Sequence, residues 1–396
     1  MENKAKQKGA GTQKGTRPLS IVLSVFLLLA VLFGLWAAAV YSSIPFVRRW
    51  RDIYIETAMS TMNHQWLATA FIPASVIDTV ESGRDAFMEN NRVEQSEISE
   101  QFRETSALPD ASTMDALTYL GEVFPCLDLD SIPLDYLPDD VSTYQEKDME
   151  SAGICTTAGD AVWAIDVPNG ILILKVYGDS YVGTLAIVND SSRVLLGRTS
   201  SDYRGETVIE MCENYDAILG INAGGFYDPG GEGTGVDPDG LVLSEGVVYN
   251  PATTENYFQI GGFDYDDNFR VGYALDINTL RDATQFFPII VLNGEDATTG
   301  ETVGLGIQPR TAIGQSVTGQ TLMLVVDGRQ IGYSLGTTVV ECASILLRYD
   351  CYNAMCMDGG SSSSMVYDGE LITKPSTPMT DGRYIPSSWL VKEYRD

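Results

Sequence analysis

The 396-residue chain contains a single histidine, His64, and it lies far ahead of the stretches in which polar groups gather. That scarcity removes Ser-His-Asp and Cys-His arrangements and most histidine-bearing metal sites. Basic residues are also few: 25 Lys/Arg stand against 54 Asp/Glu, a formal net charge of −29. Beyond residue 51 the count is 17 basic against 53 acidic side chains, a net charge of −36 with all of them ionised. Such a body repels nucleic acid and anionic membrane surfaces. An anionic substrate would have to be met by local arginines working against the global field. The cysteines (Cys126, Cys155, Cys212, Cys342, Cys351 and Cys356) match no zinc spacing. Their even number permits disulfides outside the cytosol, with the pairing open, and the last three sit in apolar segments as buried thiols would. No internal repeat is present.

Charge is absent altogether from Pro18 to Val47. Within that stretch "LSIVLSVFLLLAVLFGLWAAAVY" is almost wholly apolar and long enough for a membrane helix, which needs roughly 20 apolar residues. It also exceeds the apolar region of a typical signal peptide, about 7–15 residues. Lys4, Lys6, Lys8, Lys14 and Arg17 precede it, and Arg48, Arg49 and Arg51 follow. The resulting positive-inside bias is modest and favours a cytoplasmic N-terminus with the body outside. A single-pass protein of the cell membrane is expected. The small residues of "AAAVYSS" keep cleavage and secretion as the alternative.

Four regions follow from composition. Residues 1–17 form a cytoplasmic basic tail and 18–47 the transmembrane helix. Residues 48–150 form a juxtamembrane helical and linker region, with a helix over "IETAMSTMNHQWLATAFIPASVIDTV" interrupted near Pro73. "NNRVEQSEISEQFRETS" is linker-like, and "LPDASTMDALTYL" and "LDLDSIPLDYLPDD" are broken by prolines. From 151 to 396 glycine becomes frequent and β-rich runs recur: "GILILKVYG", "YVGTLAIVN", "SRVLLG", "AILGIN", "FPIIVLNG", "TLMLVVDG" and "SWLVKEY". Two helical candidates stand out among them, "GETVIEMCENY" and "TTVVECASILLRY". The fold class is therefore a mixed α/β (α+β), strand-rich single catalytic domain after an N-terminal membrane helix and a partly helical linker.

Several of those runs end alike, delivering a polar residue and then glycine. "AILGINAGGFY" delivers Asn222 before Gly224 and Gly225; "TLMLVVDGR" delivers Asp327, Gly328 and Arg329; "NAMCMDGGSSSS" delivers Asp358, Gly359 and Gly360. "QPRTAIG" places Arg310 and Thr311 at the start of another apolar run. Glycines allow close backbone approach, and polar groups at strand ends beside them commonly build sites. Singly, each is also an ordinary turn. Serine tracts usually mean linker, but apolar runs on both sides of "GGSSSS" argue for a tight turn presenting amides and hydroxyls to an anion.

As a set, "INAGGFY", "PRTAIG", "VVDGR" and "MDGGSSSSMVYDGELITKPS", followed by "GRYIPSSWLV", resemble the motif series of the phosphodiester glycosidase family. That family includes the enzyme that uncovers mannose 6-phosphate by removing N-acetylglucosamine from a sugar-1-phosphodiester. The resemblance covers about residues 155–396, and the membrane-anchored layout is similar to bacterial members. The glycine-rich motif is most often written with three glycines, and here the third is Ser361. If that position needed a positive φ, serine would cost on the order of 1 kcal/mol.

The resemblance implies a hydrolase cleaving a sugar-1-phosphodiester; the topology, and no motif, leads to the expectation that it is extracytoplasmic, with a cell-envelope or exopolysaccharide glycopolymer as its substrate. A phosphate monoester is a good leaving group, so the demand is for groups that hold it and stabilise its charge. Arg310, Arg329 and Arg383 are the arginines inside the motifs, and Arg310 is favoured among them. Asp358 and Asp327 are the carboxylates available to act as nucleophile or base, with Asp358 the stronger candidate. Ser362 and Ser363 are expected to bind phosphate. Asn222, with donor and acceptor, suits a sugar hydroxyl or a phosphate oxygen. Gly224, Gly225, Thr311, Gly359 and Gly360 complete the candidate substrate site. No cofactor or metal is expected; "YDPGGEGTGVDPDG" raises calcium as an alternative but lacks EF-hand spacing. The expected partners are the sugar-phosphodiester or glycopolymer and the membrane, with no nucleic acid. Two competing functions stand beside this one: a non-catalytic carbohydrate- or phosphate-binding module on a tether, and a glycosidase of uncharged sugars.

Overall fold

The computed structural model describes residues 17–61, 64–102, 108–109, 114–231, 233–255, 257–298 and 305–394. The basic tail at 1–16, residues 110–113 of a proline-broken stretch and Glu232 of the acidic loop lie outside the described residues. The chain divides into two compact units, 1–52 and 53–396. In the first, a helix runs Arg17–Val40, and its Ile21–Val40 portion is long and apolar enough to cross a membrane, with a mean hydropathy of 2.7.

In the second unit three antiparallel sheets carry the fold. The largest has nine strands in the order Gln145–Glu146, Ala161–Asp166, Ile171–Tyr177, Val182–Val188, Thr321–Val326, Arg310–Ser316, Cys351–Met357, Ile289–Leu292 and Glu295–Asp296. Strand residues alternate between its faces, as a two-residue period requires. Leu172, Leu174, Val176, Leu322, Leu324, Ala354 and Cys356 pack on one side with the helices Ala116–Val123 and Val339–Leu347. Ile171, Ile173, Met323, Val325, Met355 and Met357 face the other way and meet the remaining sheets. Those are five-stranded: Phe269–Gly272, Gln259–Asp264, Leu280–Phe286, Val242–Ser244, Val247–Asn250; and Glu370–Leu371, Met365–Tyr367, Ala217–Asn222, Ser387–Lys392, Val194–Arg198. Beyond the last of these, Val208, Met211 and Cys212 of the helix Val208–Tyr215 pack on Leu195, Val366 and Leu390. That helix starts in a capping box, Thr207 with Glu210, worth about 1 kcal/mol.

The expected strands and both expected helices form, and the strand-rich mixed class holds. Among the described residues the strand pairings in the ladders are all antiparallel, which places the domain on the α+β side of that class. Helices Pro45–Met59, Trp66–Thr69 and Ala74–Asn90 precede the sheets, with Pro73 at the start of the last. The linker-like stretch after them is fastened to the body. Asn91 Nδ2 donates to Ile289 O (2.8 Å), Ser96 N to Val271 O (2.8 Å) and Asn353 Nδ2 to Glu97 O (3.0 Å). None of the six cysteines is in a disulfide.

Candidate active site

Register brings the motif residues to one end of the large sheet. Arg310 lies opposite Val326, and Thr311 lies between Val325 and Met357. Asp327 and Asp358, each one residue beyond its strand, therefore emerge on either side of the Arg310 strand. The Ala217–Asn222 strand reaches the same place from another sheet. Asp358 N donates to Ala223 O (3.0 Å), and Asn222 Nδ2 donates to Asp358 O (2.6 Å).

Asn222 is 1% exposed, and its oxygen accepts from Thr311 Oγ1 (2.7 Å) and Ser364 N (3.2 Å). It joins three strand ends; it is not turned towards a ligand. Thr311 is wholly buried and serves the same knot. Gly224 and Gly225 are small for packing reasons: a Cβ there would meet Thr284 Oγ1 at 2.4 Å and the Phe286 ring at 3.0 Å.

The Asp358 carboxylate is half-buried beside a tight turn, Gly360–Ser362. Burial pushes its pKa up to about 6; a hydrogen bond from Ser362 and the charge of Arg383 oppose the rise, and Asp228 reinforces it. In the turn, Gly360 takes φ +62° and its N–H donates to Pro309 O (3.0 Å). A Cβ on Gly360 would stand 3.2 Å from Arg329 Nη2, so glycine here lets that guanidinium lie against the turn. Ser361 is not among the positive-φ residues, so serine in place of the third glycine carries no backbone penalty. The N–H groups of Gly360, Ser362 and Ser364 are engaged within the protein. The Ser362 hydroxyl faces Asp358 and the Ser364 hydroxyl donates to Ser362 O (3.0 Å); among the described residues the buried Ser363 Oγ has no hydrogen-bond partner.

Arginines border this turn. Arg383 Nη1 donates to Ser361 Oγ (3.1 Å), Nη2 pairs with Asp228 Oδ1 (2.6 Å), and the guanidinium lies 4.8 Å from the Phe226 ring centre. Arg329 Nη2 donates to Gln308 Oε1 (3.0 Å). Loss of hydration and then repulsion from Arg310 hold the Arg329 guanidinium below its ordinary pKa, with Asp358 opposing. Arg310 points elsewhere than its motif suggests. Its Nη2 donates to Leu305 O (2.8 Å) and Gly306 O (2.9 Å), and its Nε to Thr337 O (3.3 Å).

Asp327 is 4% exposed and both carboxylate oxygens are engaged, with Tyr333 OH (2.9 Å) and Lys374 N (2.9 Å). Burial raises its pKa, and those two bonds counter the rise. Its neighbourhood is that of a loop anchor. Asp228, Phe226, Gln308 and Ser361 are members of the site that the sequence does not single out; of these only Ser361 carries a signal, as the substituted glycine. Asp228, from the acidic loop, is turned to Arg383 and accepts from Gly233 N (2.7 Å). Among the described residues no group of three His, Cys, Asp or Glu side chains is arranged to hold a metal ion. Surface cavities of about 460 and 760 Å³ lie near the opposite sheet end, lined by Asp264 and Arg270 and by Arg193 and Arg281.

Comparison with known proteins agrees with this set of motifs. The family model for phosphodiester glycosidase matches residues 215–392. The chain is similar to the SPbeta prophage-derived uncharacterized protein YomE of Bacillus subtilis, 28% identical over 183 residues, covering 43% of this chain and 27% of that protein. It is similar to human N-acetylglucosamine-1-phosphodiester alpha-N-acetylglucosaminidase, 28% identical over 204 residues, covering 46% of this chain and 38% of the human one. The alignments thus span well under half of these relatives' length. Among solved structures, the catalytic domain of the zebrafish enzyme of that name, auto-inhibited by its pro-peptide, aligns with 57% of this chain and 82% of its own, at 21% identity and a TM-score of 0.46.

Proposed function

We propose that the chain is a phosphodiester glycosidase, a reading supported by the match of residues 215–392 to that family's model, and that it hydrolyses a sugar-1-phosphodiester, separating the anomeric carbon from the phosphate oxygen. The observation that carries this reading is Asp358, a carboxylate with a pKa of about 6, set beside Arg383, Arg329 and a serine turn at the end of three strands. A carboxylate with that pKa is largely ionised at neutral pH yet remains a competent proton acceptor. In the proposed reaction Asp358 either deprotonates the attacking water or attacks the anomeric carbon itself, and in the second case water then hydrolyses the glycosyl ester, releasing the sugar and restoring the carboxylate. The C–O bond breaks with its electron pair on the phosphate oxygen, and the leaving phosphate monoester needs no acid. Arg383 and Arg329 hold the phosphate, with hydroxyls of Ser361 and Ser363 as further donors. Asn222, Thr311, Arg310 and Asp327 position these groups.

The apolar helix Ile21–Val40 and the strongly acidic body support a tethered protein whose domain faces outward, with an envelope or secreted glycopolymer as substrate. The test is a panel of sugar-1-phosphodiesters incubated with the full chain in detergent, with and without calcium. Release of free sugar that Asp358→Ala abolishes in a folded variant supports the reading. Binding without turnover, or turnover of uncharged glycosides alone, refutes it.

A further inference from the structure

We propose that the C-terminal end of the helix Pro45–Met59, through Glu56 and Thr57 and with Ser60 one residue beyond it, positions the candidate site by clamping the loop leading into Arg310. This rests on the reading that Arg329 and the 360–362 turn bind the phosphate. Glu56, only 5% exposed, accepts through Oε2 from Gly306 N (2.9 Å). Thr57 Oγ1 accepts from Ile307 N (2.9 Å) and donates to Ile53 O (2.6 Å). The Ser60 hydroxyl accepts from Gln308 Nε2. Positions 56, 57 and 60 share one face of a helix, so one short stretch of helix holds three consecutive loop residues.

The loop itself is conformationally demanding. Leu305 and Gly306 take φ of +61° and +72°. A left-handed leucine costs about 1–2 kcal/mol and persists only when its surroundings determine it. A Cβ on Gly306 would stand 2.6 Å from Thr57 N and 2.8 Å from Thr57 Oγ1, so the helix backbone fills the space that any side chain would need. The other side of the loop is gripped by the site. Arg310 donates to the carbonyls of Leu305 and Gly306, Arg329 donates to Gln308 Oε1, and Gly360 N donates to Pro309 O. The loop is a plate with the helix on one face and the anion-binding groups on the other. A buried acid in the helix has no packing advantage over an apolar residue. Its accepting oxygen acquires a reason when the amide it satisfies belongs to this strained segment.

The experiment uses the full chain in detergent. Thr57→Val removes the hydroxyl at constant size; Thr57→Ser and Glu56→Gln keep an accepting oxygen. Amide hydrogen exchange over 305–310 and 359–364 requires no turnover. Thr57→Val is expected to speed exchange in both segments about tenfold, with Thr57→Ser and Glu56→Gln close to wild type. With a sugar-1-phosphodiester that turns over, KM rises several-fold in Thr57→Val while kcat changes less. Exchange that quickens only in the helix, or an unchanged KM, overturns the proposal. If the wild-type chain turns over no sugar-1-phosphodiester, the functional reading fails and exchange alone decides the positioning role. If Thr57→Val does not fold, Ser60→Ala, which removes the hydroxyl facing Gln308, takes its place: faster exchange in both loop segments supports the clamp, and unchanged exchange there overturns it.

Discussion

Lowering the pH from 7 to 5 should silence the reaction by protonating Asp358. Its pKa is pushed to about 6 by burial, so about nine-tenths of the carboxylate is ionised at pH 7 and about one-tenth at pH 5. If the ionised form is the nucleophile or base, kcat/KM falls about tenfold over that interval and levels off above pH 7. The substrate contributes no inflection there, since a phosphodiester loses its single proton at far lower pH. The charged groups acting on Asp358 include Arg383, Arg329 and Asp228, and Ser362 donates to it. Asp228→Asn removes a like charge and shifts the inflection down; Arg383→Ala removes an opposite charge and shifts it up. Initial rates of sugar release at low substrate, between pH 4.5 and 8.5, measure this directly. Stability moves the other way. The folded pKa lies above the ordinary carboxylate value, so the carboxyl contributes stability below about pH 4 and loses it as pH rises through 6. Asp358→Asn is therefore expected to be more stable than wild type at pH 7, by at most about 3 kcal/mol, and inactive. A profile flat from pH 5 to 8, or a rate that climbs on acidification, refutes the assignment.

Arg383→Ala should lower kcat by on the order of 10²–10³, because the guanidinium nearest the Ser361 hydroxyl is lost from the leaving group; steady-state kinetics checks it. Asn222→Ala should lower stability by about 2–4 kcal/mol in denaturant titrations, since it strands Thr311 Oγ1, Ser364 N and the Asp358 carbonyl in a buried knot. Ser361→Gly should fold normally and cost under about 1 kcal/mol, as its φ is not positive; its kinetic signature is a raised KM from the lost Arg383 contact. Chelation of divalent ions should leave the rate unchanged, since the acid at the head of the acidic loop is paired with Arg383.

Much of the scaffold is legible because burial on both faces writes continuous apolar runs, as in Ile171–Tyr177 and Thr321–Val326. Strands held by polar groups are not. Leu280–Phe286 contains Asp282, fully buried, which accepts from Leu196 N (3.1 Å) and Glu245 N (3.0 Å) and pairs with Arg281 (2.7 Å). Gln259–Asp264 carries Gly261, a poor strand former, because a Cβ there would strike Met355 Sδ at 2.0 Å. Residues 91–97 resemble a linker since their polar atoms pair with the body, a fact that composition does not encode.

The site shows the same division. Sequence singles out Asp358 and the serine turn as candidates, because a strand end followed by glycines is a local pattern, and the fold sets the two side by side. It misjudges the direction of Arg310, whose partners Leu305 and Gly306 matter through backbone carbonyls and leave no side-chain signature. It also misses Asp228, whose pairing with Arg383 exists only in three dimensions.

The central claim is that the bond broken is the one at the anomeric carbon, and hydrolysis in ¹⁸O-labelled water tests it most directly. The full chain is incubated with a sugar-1-phosphodiester, and the released phosphate monoester is analysed by mass spectrometry. The account predicts a phosphate monoester free of ¹⁸O, the label having entered the sugar. Label in the phosphate would mean that water attacked phosphorus, and would contradict it.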